Sequence, residues 1–357
     1  MQRIVFFGKG GIGKSTTSTN VSAALAARGE RVLHVGCDPK HDSTVALLNG
    51  RLLQPVVDKI HKLDNLTPED VVTRSALGID CVEAGGPEAG VGCGGRGITR
   101  MMEIFHAAKL LANDRYTVSM YDVLGDVVCG GFAAPLRKGI GEKVIIVASE
   151  EVMALYAANN IARAVCHYAV NGIVLGGIII NLRDNNEDRA PMERFAKLIN
   201  TRILAYVPRD PLIREAEYKR QTVMEHAPRS PISKVFRDIA DQIWDLDPKS
   251  CPLPTPLTDL QFYACTQTKF EMSASAAQAL AGANMGVMPE AEGVDVIIPT
   301  SLAKKSVESR KAEYDEELFA GIRAVRLGRV SAVDAVQRLR KSFPKEARSL
   351  AETDLVS

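Results

Sequence analysis

Ile4-Val5-Phe6-Phe7-Gly8-Lys9-Gly10-Gly11-Ile12-Gly13-Lys14-Ser15 is an apolar run followed by G-x-x-x-x-G-K-S, and a helical pattern continues from it through Ala27. A strand, a glycine loop and a helix in that order form the P-loop context. The glycines let backbone N–H groups converge on phosphates, and the helix N-terminus adds a favourable dipole. Lys14 is placed to reach the β- and γ-phosphates and the Ser15 hydroxyl to bind Mg²⁺. The expected nucleotide cradle is Gly8, Lys9, Gly10, Gly11, Ile12, Gly13, Lys14, Ser15 and Thr16. Lys9 is a second lysine inside the loop, the deviant form of the motif, in which this lysine reaches across a dimer interface to the partner's nucleotide.

Working outward, Arg31 to Val35 reads as the next strand and ends at Gly36-Cys37-Asp38-Pro39-Lys40-His41-Asp42-Ser43, where Asp38 and Asp42 can both face the nucleotide. Tyr116 to Tyr121 is a further buried strand, and it runs into Asp122-Val123-Leu124-Gly125-Asp126-Val127-Val128-Cys129-Gly130-Gly131. A carboxylate at a strand end suits Mg²⁺ or its waters, and a cysteine among glycines suits a soft metal. The three residues from Asp126 to Cys129 span at most about 10 Å, so a nucleotide at one would be mechanically joined to a metal centre at the other. Between these stretches lies Gly85 to Gly97, with seven glycines in thirteen residues and Cys93 among them. A cubane cluster takes four thiolates. Either two more ligands come from this chain, or two subunits share one cluster across a two-fold axis.

The strands continue at Lys143 to Ala148, Gly176 to Asn181 and Ile203 to Val207, alternating with helices at Val152 to Tyr168 and Pro231 to Trp244. Asn181 and the Pro208-Arg209-Asp210 turn follow strand ends, where open α/β sheets bind ligands. The pattern is α/β: a doubly wound, mostly parallel sheet of P-loop NTPase type. The proline-rich stretch 247–259 reads as a linker. It divides a domain over 1–246 from a mainly helical extension over 260–357, with a strand at Val294 to Ile298 and helices at Val307 to Leu327 and Ser331 to Phe343.

Composition narrows the function classes. The 357 residues carry a net charge of +1, which gives no support for a nucleic-acid partner. Seven cysteines without a secretion signal favour reduced thiols and metal ligands over disulfides. No apolar run reaches the ~18 residues of a membrane span. A cytoplasmic location is expected.

Together these motifs resemble the nitrogenase iron protein family over residues 3–245. The match takes in the P-loop, Gly36 to Lys40, Gly90-Val91-Gly92-Cys93 with Gly95-Arg96-Gly97, Asp122 to Phe132, Tyr156 to Ile161 and Val207 to Asp210. The resemblance implies a homodimer bridging one [4Fe–4S] cluster through Cys93 and Cys129 of each subunit, with one MgATP or MgADP per subunit. Lys9, Lys14 and Ser15 would serve phosphates and Mg²⁺, and Asp42 and Asp122 would lie near Mg²⁺. Asp38 would lie near the attacking water and Asp126 would activate it, while Asn181, Pro208, Arg209 and Asp210 would hold the nucleoside. Arg96 would dock on the catalytic partner and is a modification site in some relatives. The implied activity is ATP-driven electron transfer, fed by a ferredoxin or flavodoxin, to a larger nitrogenase-like metalloprotein.

Family members normally end shortly after the helix near Trp244. That departure, with His41 and Gly94 where the nitrogenase pattern has alanine, points to a methylthio-alkane reductase system. True nitrogenase and the tetrapyrrole-reducing systems are the alternatives. A partitioning ATPase without redox chemistry is the alternative of another class, and it leaves Cys93 and Cys129 unexplained.

Overall fold

The computed structural model describes residues 1–61, 64–86, 95–112, 114–123, 125, 134–136, 140–276, 287–291, 294–297, 337 and 339. The strands are β1 (Gln2–Phe7), β2 (Val32–Cys37), β3 (Thr73–Arg74), β4 (Asp80–Glu83), β5 (Val118–Val123), β6 (Lys143–Ala148), β7 (Val174–Asn181), β8 (Ile203–Val207), β9 (Val287–Ala291) and β10 (Val294–Ile297). The longer helices are α1 (Lys14–Ala27), α4 (Gly95–Ala107), α5 (Val152–Tyr168), α6 (Ala190–Leu198), α7 (Pro211–Tyr218), α9 (Pro231–Asp245) and α10 (Asp259–Gln267). Single turns form α2 (Val56–Lys59), α3 (Pro68–Val71) and α8 (Val223–His226).

β1 to β8 make one sheet in the order β3-β4-β2-β5-β1-β6-β7-β8, parallel except for the short edge strand β3. Continuous apolar runs such as Ile4-Val5-Phe6-Phe7 and Val144 to Ala148 are fully buried, as a sheet covered on both faces requires. The register puts Glu83, Gly36, Asp122 and Phe6 in one row across β4, β2, β5 and β1, near the strands' C-terminal ends.

Residues Met1–Ser275 form one compact unit and Ala276–Ser357 a second. This moves the expected boundary. The stretch 247–259 is extended, but it is fastened to the first unit. Buried Asn159 on α5 accepts from the backbone N–H of Leu257 and donates to the Leu257 carbonyl, both at 2.8 Å. α10 then seats Phe262, fully buried, against Tyr156 and Phe195, with Phe270 beside it. Prolines stop the helix before this stretch, and side-chain bonds and aromatic burial supply what the backbone lacks. In the second unit β9 and β10 pair antiparallel, which places the strand expected at Val294 to Ile298. The two expected helices beyond it lie almost wholly outside the described residues.

Candidate phosphate-loop and nucleotide site

Gly11 and Gly13 take left-handed φ values of +74° and +88°, and α1 starts directly at Lys14. Gly8 approaches β6 so closely that a Cβ would stand 2.2 Å from the Val147 carbonyl. The loop therefore wraps the end of β1 between β5 and β6. Lys9 is half-buried while Gly10 and Gly11 are exposed.

The Lys14 ammonium pairs with the Asp122 carboxylate, with the two side chains only 9% and 1% exposed. The pairing of Phe6 with Asp122 brings them together, because it sets the carboxylate beside the strand that feeds the loop. Burial alone would push the Asp122 carboxyl up, but Lys14, His34 and hydrogen bonds outweigh it and hold the group below its ordinary value. Ser43 donates to the other Asp122 oxygen at 2.5 Å. His34 Nε2 lies 3.1 Å from the Ser43 hydroxyl, and His34 Nδ1 lies 2.8 Å from the Ser22 hydroxyl. A buried polar chain thus runs from α1 through β2 and the loop after it to Lys14. Burial drops the His34 pKa to about 4, so the ring is neutral near pH 7. Gly125 presses on the P-loop itself, since a Cβ there would stand 1.9 Å from the Gly8 carbonyl.

Beside the loop lies a cavity of about 530 Å³ lined by Gly11, Thr16, Asn181 and the Pro208-Arg209-Asp210 turn, among others. The structure therefore brings the two expected halves of a nucleotide site together. Two of these side chains have work within the fold. The Asn181 amide donates to the Ile12 carbonyl at 2.9 Å, and Asp210 caps α7 by accepting from Leu212 N–H at 2.9 Å. Asp42 is exposed and Asp38 half-buried, and Asp38 accepts from Lys40 N–H at 3.0 Å. Arg96 is exposed in the first turn of α4. Cys93, Asp126 and Cys129 lie outside the described residues.

His34, Ser43 and Glu83 escaped the sequence reading. His34 and Glu83 are polar residues inside otherwise apolar strands, and that was the available signal.

The sequence profile of the 4Fe-4S iron–sulfur cluster binding proteins, NifH/frxC family, matches residues 2–272. The chain is 44% identical over 266 residues to the nitrogenase iron protein of Methanospirillum hungatei, covering 73% of this chain and 94% of that one. It is 41% identical over 268 residues to nitrogenase iron protein 2 of Methanothermococcus thermolithotrophicus, covering 71% and 92%. The match past Trp244 corrects the expectation that relatives end there, and residues 273–357 are what the profile leaves out. Among solved structures, the cell division ATPase MinD of Pyrococcus furiosus aligns with a TM-score of 0.56 at 23% identity, over 69% of this chain and all of that one. The septum site-determining protein MinD of Pyrococcus horikoshii, complexed with Mg-ADP, aligns with a TM-score of 0.55 at 23% identity, over 69% and 97%. These two show the fold alone, a P-loop ATPase sheet of the same kind.

Proposed function

The chain belongs to the NifH/frxC family of 4Fe-4S cluster-binding, ATP-dependent reductase components, and from that premise we propose a specific working cycle and recipient. Two copies of the chain hold one [4Fe–4S] cluster between them through Cys93 and Cys129 of each. The cluster supplies one low-potential electron at a time. The loop from Gly8 to Thr16 binds the phosphates of one nucleotide per subunit, with Lys9 extending to the partner subunit's nucleotide. Ser15 ligates Mg²⁺, with Asp42 and Asp122 near it. Asp38 and Asp126 orient and deprotonate the attacking water. Asn181, Pro208, Arg209 and Asp210 border the nucleoside.

The observation that carries this reading is the buried contact of Lys14 with Asp122, one residue beyond Gly13, which lines the cavity. Nucleotide phosphates compete with Asp122 for the same ammonium. Released from Lys14, the Asp122 carboxylate would be free to help hold Mg²⁺, and its own loop would be free to shift. That loop presses on the Gly8 carbonyl through Gly125 and reaches Cys129 four residues later. The exchange of one ion pair for another is thereby tied to the cluster.

The electrons go to a larger nitrogenase-like metalloprotein that docks over Arg96, and a ferredoxin or flavodoxin re-reduces the cluster with fresh ones. The extra residues 273–357, with His41 and Gly94, favour a methylthio-alkane reductase as recipient over a dinitrogen-reducing enzyme. No described helix is long and apolar enough to cross a membrane, and we place the protein in the cytoplasm.

Electron paramagnetic resonance on anaerobically purified, reduced dimer tests the core of this reading. About four iron atoms per dimer and a [4Fe–4S]⁺ signal are expected. Iron far below that value with no signal would return the chain to the partitioning-ATPase class. Co-purification of the recipient and identification of its metal cofactor tests the finer assignment.

A further inference from the structure

Glu83 has no part in the cycle above, yet its side chain is completely buried at the end of β4. Oε1 accepts two hydrogen bonds from one residue, from the Thr44 backbone N–H at 2.7 Å and the Thr44 hydroxyl at 2.8 Å. Oε2 is buried without a hydrogen-bond partner among the described residues. The carboxyl lies against Gly36, where a Cβ would stand 1.9 Å from Oε2. Gly36 does not take a left-handed φ, so glycine is needed there for room and not for conformation. Thr44 follows Asp42 and Ser43 directly, and Ser43 is itself bonded to Asp122. Glu83 therefore grips the segment that faces the nucleotide site.

The other end of the contact leads to α4. Ala84 N–H donates to the Gly36 carbonyl at 2.8 Å. The chain then turns at Gly85, φ +75°, where a Cβ would stand 2.2 Å from the Pro55 ring. The Gly85 carbonyl sits under Gly97 in the first turn of α4, where a Cβ would stand 2.2 Å from it. Arg96 is the neighbour of Gly97 and is exposed. Thr44, Glu83, Gly85 and Gly97 form a continuous packed path with no slack for a methyl group at either glycine contact. Such close packing passes on a displacement instead of absorbing it.

We propose that Glu83 is a positioning residue that carries the nucleotide-dependent setting of residues 42–44 to the first turn of α4, and so to the Arg96 face that meets the electron acceptor. The inference rests on the nucleotide and docking assignments above. It adds a route separate from the one through Asp122 and residues 125–129. Burial pushes the Glu83 carboxyl up to about 8 against the two Thr44 bonds, with Asp122 and Asp42 also raising it. Near pH 7 the group is largely the neutral acid, and glutamine is its close mimic.

Hydrogen–deuterium exchange of the full-length, cluster-loaded dimer under MgADP and then MgATP tests the route. In the unaltered protein, exchange at both 8–16 and 95–100 should differ between the two nucleotides. Glu83→Ala should keep the difference at 8–16 and shrink that at 95–100 about three-fold or more, and Glu83→Gln should restore it. A wild-type difference at 95–100 in Glu83→Ala overturns the proposal, as does its absence from the unaltered protein. If Glu83→Ala does not fold, Thr44→Val, which deletes one donor at nearly constant volume, takes its place. It should cut the difference at 95–100 about two-fold, and no change there overturns the proposal. Failure of the underlying nucleotide assignment looks different: no nucleotide dependence at 8–16 in the unaltered protein.

Discussion

Asp122→Asn removes a charge and little else. The amide oxygen can still accept from Ser43, and the side chain keeps its volume in a site that is 1% exposed. What is lost is the partner of the Lys14 ammonium, itself 9% exposed. Breaking a buried ion pair by removing one member costs about 3–5 kcal/mol. Lys14 keeps 9% of its side chain exposed and can reach water, so the lower end, ~3 kcal/mol, applies. At ~2–4 °C per kcal/mol the midpoint of melting should fall by about 6–12 °C. Nucleotide should then bind and stabilise the variant more than the unaltered protein. In the unaltered protein ADP without Mg²⁺ must draw Lys14 away from Asp122; in the variant the ammonium has no competing carboxylate. If ~2 of the 3 kcal/mol is recovered on binding, the variant binds Mg-free ADP about 30-fold more tightly. Titration calorimetry under anaerobic conditions, with melting curves with and without ADP, reads both numbers. Equal or weaker Mg-free ADP binding by Asp122→Asn, or an unchanged midpoint, would refute the idea that this pair is exchanged for phosphate.

His34→Gln should flatten the acid side of the stability profile. His34 titrates near 4 in the fold and near 6.5 unfolded, so the unfolded chain binds more protons between those values. Its contribution is full above pH 6.5 and is lost as pH falls through 4; equal acid slopes of melting midpoint for both proteins would count against this. Phe262→Ala should destabilise the first unit by about 3–5 kcal/mol, read by denaturant titration, whereas truncation after Ser275 should leave that unit's midpoint in place. A negligible effect of Phe262→Ala would mean that 247–275 is dispensable to the core. Cys129→Ser should abolish cluster iron while ADP binding persists, and a variant with normal iron would remove Cys129 from the ligand set.

The sheet was legible because parallel strands buried on both faces are near-continuous apolar runs, as in Lys143 to Ala148, whose limits coincide with β6; Ile203 to Val207 coincides with β8 as an apolar run too, although that edge strand is largely half-buried. Val152 to Tyr168 was equally plain, since apolar residues recur along it at helical spacing. The P-loop was legible because its glycines answer a local demand, the left-handed φ at Gly11 and Gly13. What sequence spacing does not encode is register. Nothing local says that Glu83, Gly36 and Asp122 share a row, because β4, β2 and β5 are separated by long connections. Polar residues inside strands were therefore passed over, and Gly36 looked like part of a loop motif when it is room for a carboxyl. The strap over 247–275 misled for a related reason. Prolines mark the end of a helix, but whether the chain then leaves the domain depends on distant partners such as Asn159 and Tyr156.

Strand order explains why a shared ATPase fold can serve a redox protein. An ATPase acting only as a switch needs Lys14, Asp122 and one moving loop. The two cysteines proposed above as cluster ligands, Cys93 and Cys129, come in the sequence after different strands, β4 and β5. In the sheet these strands are not neighbours; β2 lies between them, and β1 flanks β5 on the far side. Along the C-terminal edge the Asp38–Ser43 segment therefore leaves β2 between the ends of β4 and β5, and the P-loop leaves β1 on the other side of β5. The segment after β2 has a bonded grip on both strands, through Thr44 to Glu83 on β4 and through Ser43 to Asp122 on β5. Two adjacent residues thus hold the ends of β4 and β5, so a shift of residues 42–44 would bear on both strand ends together.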